Sequence, residues 1–574
     1  MSSFFRAIIA VRDSRVGRVS CLLTLGLITT SCGDTYRPVA QVVPGTPPNP
    51  AAVHFVEAVS ANGNDTLVGG VCQPSGFTPP SPPSCPMGPG SASRIDVSGD
   101  TNLGNLEAGL RPAHAALIPN ASKLYIANFG DDTITANAPS NPTVTATISL
   151  PSGAQPVFVN SAENNNAYVA NFGTSTVSVI NTISNVVTTS VPVGANPVAL
   201  AEMPSTGNSN QKVYVASKGS NSVTVINALD DSLGMPVLIG APQVWAVARS
   251  DSARIYVLDA NGVISAIDTL SDSVMTNSPA ASAGAGANFI FLDSKAQRLY
   301  VTNPVAHTLS IFDITEVNSP VSHLVTLDLS QGTSPAYVPI SVTGIGDGSR
   351  AYVAAFQLTS CSDVSGNFPC INTQVDVIDV GTNSVSKVIP MSSSVPVDIN
   401  NQDGCGGNTP PAAQWTPGTA ARFRLSTAAS GGGSTSNFKV YVSQCDAQNV
   451  AVINTFPSNS NPADTYAGVT LAAPLSASPT LQVSISDASQ TAATSSTPAT
   501  TTFTYTPAST ILHAGMSVFV TGMSDTGNNG NFVISSVGSG TFTVNNPSGV
   551  TNASQSGSGA ALPRQNPVFL VAGP

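Results

Sequence analysis

Charged side chains are scarce in this chain. Asp, Glu, Lys and Arg make up 9% of its 574 residues, against about 25% in an average globular protein. The formal net charge is -11. Nucleic acids and anionic lipid headgroups bind through clustered Lys and Arg that displace counterions, so this charge argues against both as partners. Ser, Thr, Asn and Gly supply the missing polarity, which is typical of turn-rich β proteins.

Long hydrophobic runs are also lacking. The apolar run at residues 22–28 is too short to cross a bilayer as a helix of about 20 residues. It follows four Arg residues, and this order predicts an export signal over residues 1–31. The residues that follow resemble a bacterial lipobox, which implies lipidation of Cys32, with ordinary cleavage nearby as the alternative. The prediction is an exported protein of the bacterial envelope, lipid-anchored or otherwise periplasmic or extracellular.

Reactive residue patterns are missing too. The five histidines are scattered over different parts of the chain, and no two have the spacing of a metal site. No nucleophile elbow, phosphate loop or dinucleotide fingerprint occurs in a strand-to-helix context. We therefore expect no metal and no cofactor. One alternative is a ring of acids at the ends of successive strands, which turn formation also explains. These acids are Glu163, Glu202, Asp251, Asp293 and Asp347.

The cysteines form no Cys-x-x-Cys motif, but six remain beside Cys32 in the predicted mature chain. An even number in an exported protein predicts disulfide bonds, because oxidising compartments preserve them. Many pairings are open, and short loop closure favours the one between sequence neighbours. The predicted pairs are Cys72 with Cys85, Cys361 with Cys370, and Cys405 with Cys445. The middle pair lies in an insertion that we expect to leave its repeat as a loop.

What the chain has in abundance is a repeated phrase. A basic or small residue, an apolar residue, Tyr, and Val or Ile recur about every 40 to 50 residues, a period typical of repeat architectures. The tyrosines are Tyr125, Tyr168, Tyr214, Tyr256, Tyr300, Tyr352 and Tyr441. Turn signals around each Tyr separate four short apolar strands, which predicts an antiparallel meander. Such a sheet has two apolar faces, so copies must stack, and a closed radial stack is a β-propeller of about 4 to 8 blades.

The phrase resembles a known family. Tyr168-Val169-Ala170-Asn171 and Tyr300-Val301-Thr302-Asn303, with partner strands such as 177–181, are similar to the YVTN family of β-propeller repeats. The resemblance covers about residues 110–455. It implies a propeller from an exported or surface protein of bacteria or archaea. The repeated Tyr itself is better explained by packing between blades than by ligand binding.

The chain ends supply one further blade. Residues 53–59, 93–97 and 103–109 resemble the last three strands of a unit, and residues 566–571 resemble a first strand with no unit behind it. Pairing them closes the ring and favours eight blades over seven. The predicted organisation is a signal over 1–31, a Pro-rich tether over 32–50, the propeller over 51–480, a small inserted β module over 481–561, and the closing strand over 562–574.

These features predict a non-catalytic binding or interaction scaffold, whose partner is a protein, a glycan or a small ligand. A lactonase- or dehydrogenase-like propeller enzyme is one alternative, and it requires Arg, Glu, Asp and His to converge at the channel. A structural cell-surface component is the other. Arg111 and His114 open an innermost strand and are the candidates for the channel mouth. A hydrogen bond to the backbone of a neighbouring blade also explains His114.

Overall fold

The computed structural model describes residues 55–573 with gaps. The gaps are 62–64, 69–70, 75–89, 119–121, 139–140, 162–164, 204–210, 277–280, 316–319, 364–365, 398–404, 406–423, 431–437, 457–462, 471–480, 495–498, 507–516 and 562–565. The predicted signal, Cys32 and the tether lie outside the described residues. Within those residues, no helix has the length and apolarity that a bilayer crossing needs. A short 3-10 helix spans Thr526–Asn528.

The chain folds into β-strands that we number in chain order. The first are β1 (Phe55–Ala61), β2 (Asp65–Val68), β3 (Val71–Pro74), β4 (Ser91–Asp96), β5 (Thr101–Glu107), β6 (Pro112–Leu117), β7 (Leu124–Asn128), β8 (Thr133–Ala138), β9 (Asn141–Ser149), β10 (Pro156–Ser161), β11 (Asn166–Asn171), β12 (Thr176–Asn181), β13 (Val186–Pro192), β14 (Pro197–Glu202), β15 (Lys212–Ser217), β16 (Ser222–Asn227) and β17 (Val237–Leu238).

The middle of the chain supplies β18 (Gln243–Ala248), β19 (Arg254–Asp259), β20 (Ile264–Asp268), β21 (Ser273–Val274), β22 (Phe289–Asp293), β23 (Arg298–Asn303), β24 (Thr308–Asp313), β25 (Ser322–Asp328), β26 (Val338–Gly344), β27 (Arg350–Asp363), β28 (Gly366–Asp379), β29 (Ser384–Pro390) and β30 (Val395–Pro396). The last strands are β31 (Thr427–Ser430), β32 (Lys439–Gln444), β33 (Asn449–Asn454), β34 (Thr465–Thr470), β35 (Leu481–Thr491), β36 (Thr500–Thr506), β37 (Ser517–Thr521), β38 (Gly530–Gly538), β39 (Thr541–Asn545), β40 (Asn552–Ala561) and β41 (Asn566–Ala572).

Eight antiparallel sheets form the blades of a propeller. Blade 1 has the strand order β41-β1-β4-β5, and blades 2 to 8 are meanders that begin at β6, β10, β14, β18, β22, β26 and β31. The first strand of each blade lies beside the first strand of the next, and the series returns from β31 through β41 to β6. The predicted all-β propeller is therefore confirmed, with eight blades.

Blade 1 joins the two ends of the described chain. Strand β41 pairs with β1 through contacts such as Phe569 with Val59, and β1 pairs with β4 through Glu57 with Arg94. Apolar side chains seal both of its faces. Val56 and Ile95 share a core with Tyr441 of blade 8, whereas the opposite face packs on blade 2. Because the closing strand comes from the far end of the chain, the blade holds the ring shut.

In five of the seven blades that have it, the repeated Tyr links its blade to the next. Its hydroxyl donates a hydrogen bond to an Asn or Asp in the turn between the third and fourth strands of the following blade. The pairs are Tyr125–Asn185 at 2.7 Å, Tyr168–Asp231 at 3.2 Å, Tyr214–Asp272 at 2.6 Å, Tyr352–Asp464 at 2.7 Å and Tyr441–Asp100 at 2.9 Å. The acceptor residues have φ between 49° and 57°, a left-handed conformation that Asn and Asp tolerate better than most residues.

The basic residue two positions before the Tyr uses the same acceptor in four blades. The pairs are Lys123–Asn185, Lys212–Asp272, Arg350–Asp464 and Lys439–Asp100, at 2.6 to 3.0 Å. The repeated phrase is thus an interblade clasp, consistent with the packing role that the sequence indicates. Blade 1 departs from it, because the register puts a fully buried Glu57 where the other blades have Tyr. Arg94 pairs with Glu57 at 2.7 Å, yet burial still raises the pKa of that carboxyl.

Two of the predicted disulfide pairs are formed. Cys361 bonds to Cys370, and Cys405 bonds to Cys445. The Cys72–Cys85 prediction involves Cys85, which lies outside the described residues. Around Cys361 the structure differs from the expected loop, since β27 and β28 continue as a paired ladder to Asp363 opposite Gly366. Continued pairing satisfies the backbone groups of the insertion, which a loop leaves to water.

The inserted module is a closed six-stranded barrel with the order β35-β36-β39-β38-β37-β40. It contains the hairpin strands that the alternating pattern predicts, and closure leaves no exposed sheet edge. Its interior is an apolar core of its own that includes Phe503, Phe542 and Val518. A small β module inserted before the closing strand is thereby confirmed.

Candidate functional site

The candidate site is a cavity of about 620 Å³ enclosed by the innermost strands. Its walls come from six innermost strands (β10, β14, β18, β22, β26 and β41) and from residues 425–427 at the start of blade 8. The cavity therefore occupies the centre of the propeller, where residues far apart in sequence meet. Most of its lining side chains are aliphatic or aromatic.

One register position decides the character of this wall. In every blade, one residue of the innermost strand pairs with a particular residue of the second strand. That second-strand residue stands two positions after the repeated Tyr, or two positions after Glu57 in blade 1. We call these eight residues the channel ring. In blade order they are Phe569, His114, Phe158, Ala199, Trp245, Phe289, Ser341 and Ser426. In six of the blades a β-bulge immediately precedes this residue.

The aromatic members of the channel ring form a continuous arc. His114 stacks on Phe158 with ring centroids 3.9 Å apart, and Phe569 lies 4.2 Å away on its other side. Phe158 meets Trp245 edge-on at 5.6 Å across blade 4, where the ring residue is the small Ala199. Phe289 continues the arc, 4.9 Å from Trp245. Centroid separations of this size are favourable for aromatic pairs.

The opposite side of the channel ring is small and polar. Ser341 and Ser426 occupy the two positions between Phe289 and Phe569, and both line the cavity. The Ser341 hydroxyl pairs with the Thr427 hydroxyl at 2.8 Å and accepts the Thr427 backbone N–H. The Ser426 hydroxyl has no hydrogen-bond partner among the residues that the structure describes. The open space therefore lies between an aromatic arc and a hydroxyl-bearing side.

Other polar residues of the lining hold the blades together. Gln243 accepts the Ser217 backbone N–H and donates to two backbone carbonyls. Asn288 accepts from the Thr302 hydroxyl and donates to the Ile340 carbonyl. Their hydrogen-bonding capacity serves the scaffold, so their presence does not make the wall strongly polar.

Opposite charges stand at the two ends of the cavity. Glu202 is the last residue of β14, whereas the Lys218 backbone N–H bonds to the Asn196 carbonyl just before that strand begins. Both side chains line the cavity. Arg, Glu, Asp and His do not converge on one point in the described lining, and no group of three or more His, Cys, Asp or Glu suited to a metal occurs among the described residues.

The two channel-mouth candidates have different surroundings. His114 is 6% exposed, and its Nδ1 accepts the Val159 backbone N–H of the neighbouring blade at 3.4 Å. This contact is the hydrogen-bonded arrangement that the sequence offers as the other explanation of His114. Arg111 directly precedes β6 with φ of 46°, and burial lowers the pKa of its guanidinium. The structure thus makes His114 part of the aromatic arc rather than an isolated reactive group.

The acids proposed as a ring separate into different roles. Asp293 accepts the backbone N–H groups of Lys295 and Ala296, and Asp347 accepts that of Ser349. Asp251 accepts the Ala253 N–H and pairs with Arg249. These three are turn formers, Glu202 alone among the four described acids lines the cavity, and Glu163 lies outside the described residues.

Sequence reasoning missed Phe158, Trp245, Phe289 and Phe569 as site residues. Each was part of a predicted apolar strand, and nothing in its local pattern distinguishes it from a core residue. A signal was present, because the ring residue stands two positions after the Pro that opens an innermost strand in several repeats, as in Pro156 and Phe158. Aligning the repeats on that Pro would have marked the position of Phe158 and Phe569, whereas Trp245 and Phe289 have no Pro at that spacing.

No family model and no curated protein matches the chain. Among solved structures, it is similar to the hydrazine synthase of Kuenenia stuttgartiensis, with 16% identity, a TM-score of 0.37, and coverage of 53% of this chain and 90% of that one. It is similar to the Cps50 (Swd1) β-propeller domain of Myceliophteria thermophila, with 9% identity, a TM-score of 0.38, and coverage of 49% and 85%. It is also similar to a functionally unknown protein from Desulfotomaculum acetoxidans, with 14% identity, a TM-score of 0.39, and coverage of 52% and 91%. At these scores the likenesses carry no argument about function.

Proposed function

We propose that this protein is a non-catalytic binding propeller that holds a small, largely apolar molecule in its central cavity. The observation that carries the proposal is the cavity of about 620 Å³ with aromatic and aliphatic walls. Pockets for small molecules usually measure about 300 to 1,000 Å³ and combine apolar walls with a few polar groups. The size and lining of this cavity fit that description.

Rigidity supports a binding role. Most of the wall residues belong to strands. Five of the blade junctions have a Tyr clasp, and the closing strand joins the two ends of the ring. A site on rigid elements needs little ordering when a ligand enters, which lowers the entropic cost of binding. The buried Phe158 and Trp245 rings offer apolar contact area without rearrangement.

We place this activity outside the cytoplasm. Two disulfide bonds favour an oxidising compartment. The predicted export signal supports the same location, and lipidation at Cys32 would attach the propeller to a membrane through the tether. The propeller that binds the apolar ligand is then a soluble domain held at the bacterial envelope.

A fluorescence titration with 8-anilino-1-naphthalenesulfonate tests the proposal on the folded protein. The probe becomes fluorescent in apolar sites, so the proposal predicts saturable binding to one site. Ala248→Phe places a bulky ring in the cavity wall and should weaken binding at least about tenfold, since overfilled apolar space excludes a ligand. Leu270→Phe is the matched control, because Leu270 is 85% exposed on the outer edge.

Two results would contradict the proposal. Equal binding by the Ala248→Phe and Leu270→Phe proteins would show that the probe binds elsewhere. Chemical conversion of a bound ligand that depends on cavity residues would replace the binding role with an enzymatic one.

A further inference from the structure

The channel ring is asymmetric, and this asymmetry indicates which class of ligand the cavity binds. Among the six consecutive blades 1 to 6, all except blade 4 with Ala199 contribute an aromatic ring; these are Phe569, His114, Phe158, Trp245 and Phe289. The two remaining blades contribute Ser341 and Ser426. A cavity for a featureless apolar molecule needs no such division, since hydrophobic contact is non-directional.

We infer that the ligand is a flat aromatic ring system with a hydroxyl or similar polar group on one edge. This inference rests on the proposed function and specifies its ligand class. The ring system packs against the aromatic arc, and its polar edge lies at Ser341 and Ser426. The ligand thus spans the channel from one side of the ring to the other.

The aromatic arc favours a ring over an alkyl chain for an electrostatic reason. Aromatic rings have a negative face and a positive edge, so a planar ligand gains from stacked and edge-on contacts beyond its buried area. The Phe158–Trp245 pair is already edge-on and the Trp245–Phe289 pair is tilted. A planar ligand can therefore make both stacked and edge-on contacts with these rings, whereas a saturated molecule gains binding energy only from its buried area.

The side of the channel ring that carries Ser341 and Ser426 favours a ligand with a polar group on one edge. A polar group that enters an apolar cavity loses its water and must find a partner there. The Ser426 hydroxyl can donate or accept, and it makes no hydrogen bond to any other described residue. Ser341 is already engaged with Thr427, so Ser426 is the residue that we expect to bind the polar edge directly.

Three ligands of equal carbon skeleton test the inference by calorimetric titration. These probes are 2-naphthol, naphthalene, and decahydro-2-naphthol, which keeps the hydroxyl but is saturated and not planar. The expected order places 2-naphthol first. Naphthalene should bind about fivefold more weakly through the lost hydrogen bond, and decahydro-2-naphthol roughly 3- to 10-fold more weakly through the lost aromatic contacts.

Two variants identify the residues responsible for these differences in affinity. Ser426→Ala should bring 2-naphthol to the affinity of naphthalene and leave naphthalene unchanged. Trp245→Leu should weaken both aromatic probes more than the saturated one. Leu270→Ala, on the exposed edge, is the control and should leave all three affinities unchanged.

The outcomes separate the ligand class from the binding function. If decahydro-2-naphthol binds as tightly as 2-naphthol, the cavity binds apolar molecules without preference and the ligand class is wrong. The ligand class is also wrong if Ser426→Ala leaves the affinity for 2-naphthol unchanged. If none of the three probes binds and the affinity for 8-anilino-1-naphthalenesulfonate is unchanged by Ala248→Phe, the binding function itself is wrong.

Discussion

The Tyr441 hydroxyl donates a hydrogen bond to the Asp100 carboxylate at 2.9 Å, although 341 residues separate them. Lys439 reaches the same carboxylate at 2.6 Å. This clasp joins blade 8, the last of the sequential blades, to blade 1, which the two chain ends build together. Its geometry repeats that of the clasps within the sequential array. The seam, which is the junction where blade 1 closes the ring against blade 8, is therefore joined by the same hydrogen bonds as the other clasped junctions.

Removal of this clasp should destabilise the propeller. Tyr441→Phe deletes the donor of a partly buried hydrogen bond, and we expect a loss of about 1 kcal/mol in the free energy of unfolding. Urea unfolding would measure the change. Tyr300→Phe is the matched control, because the buried Tyr300 hydroxyl has no partner among the described residues. It should be neutral or stabilising, and equal losses in both variants would contradict the clasp.

The Cys405–Cys445 disulfide should hold the closing strand in place. Asn566, the first residue of β41, donates to the Cys445 carbonyl at 3.0 Å and lies 3.4 Å from Cys405 Sγ. Replacing both cysteines by Ser should cost about 2 to 4 kcal/mol, because the bond closes a long loop. Hydrogen exchange should rise in β41 before other innermost strands.

The Cys361–Cys370 pair provides the comparison for that experiment. It spans a separation of 9 residues, against 40 for Cys405–Cys445, and lies in the extended hairpin of blade 7. Its double Ser variant should lose less stability and leave exchange in β41 unchanged. Faster exchange in β41 from this control would show that the effect is not specific to the seam.

Stability should depend on the protonation of Asp376. Burial raises the pKa of this carboxyl to about 7, which the Gln374 amide opposes only in part. The folded state therefore binds a proton more tightly than the unfolded state between about pH 4 and pH 7. It follows that the free energy of unfolding decreases as pH rises through this window and levels off above it.

Asp376→Asn removes the titrating group and should flatten this decrease. At pH 8 the variant should be more stable than the parent, by an amount on the order of a few kcal/mol. Unfolding midpoints between pH 4.5 and pH 8 would measure it. Asp379→Asn, at an exposed turn where the pKa is lowered by hydrogen bonds from Thr382, should keep the slope of the parent. An unchanged slope in Asp376→Asn would contradict the assignment.

Lipidation is tested by metabolic labelling with palmitate in a bacterial host. The label should depend on Cys32, so Cys32→Ala should abolish it and release the protein from membranes. Cys21→Ala is the matched control, because Cys21 lies within the predicted signal and should be absent from the mature chain. Label that persists in Cys32→Ala would remove the lipoprotein proposal.

The sequence by itself determined the scaffold. Seven copies of the Tyr phrase located seven blades, and the incomplete units at the two ends located the eighth. This was possible because strand alternation and turn chemistry are local and leave a pattern in every repeat. Cys361 with Cys370 and Cys405 with Cys445 are neighbours in the order of the cysteines along the chain, which likewise made their pairing accessible.

Only the tertiary structure decided what the scaffold encloses. Phe158, Trp245 and Phe569 look like ordinary core residues in their own strands, and they meet only because eight blades converge on one axis. The acceptors of the Tyr clasps were equally hidden, since each lies in a turn of the next blade. Contacts between repeats depend on register and on ring closure, and neither leaves a mark in the local sequence of a single repeat.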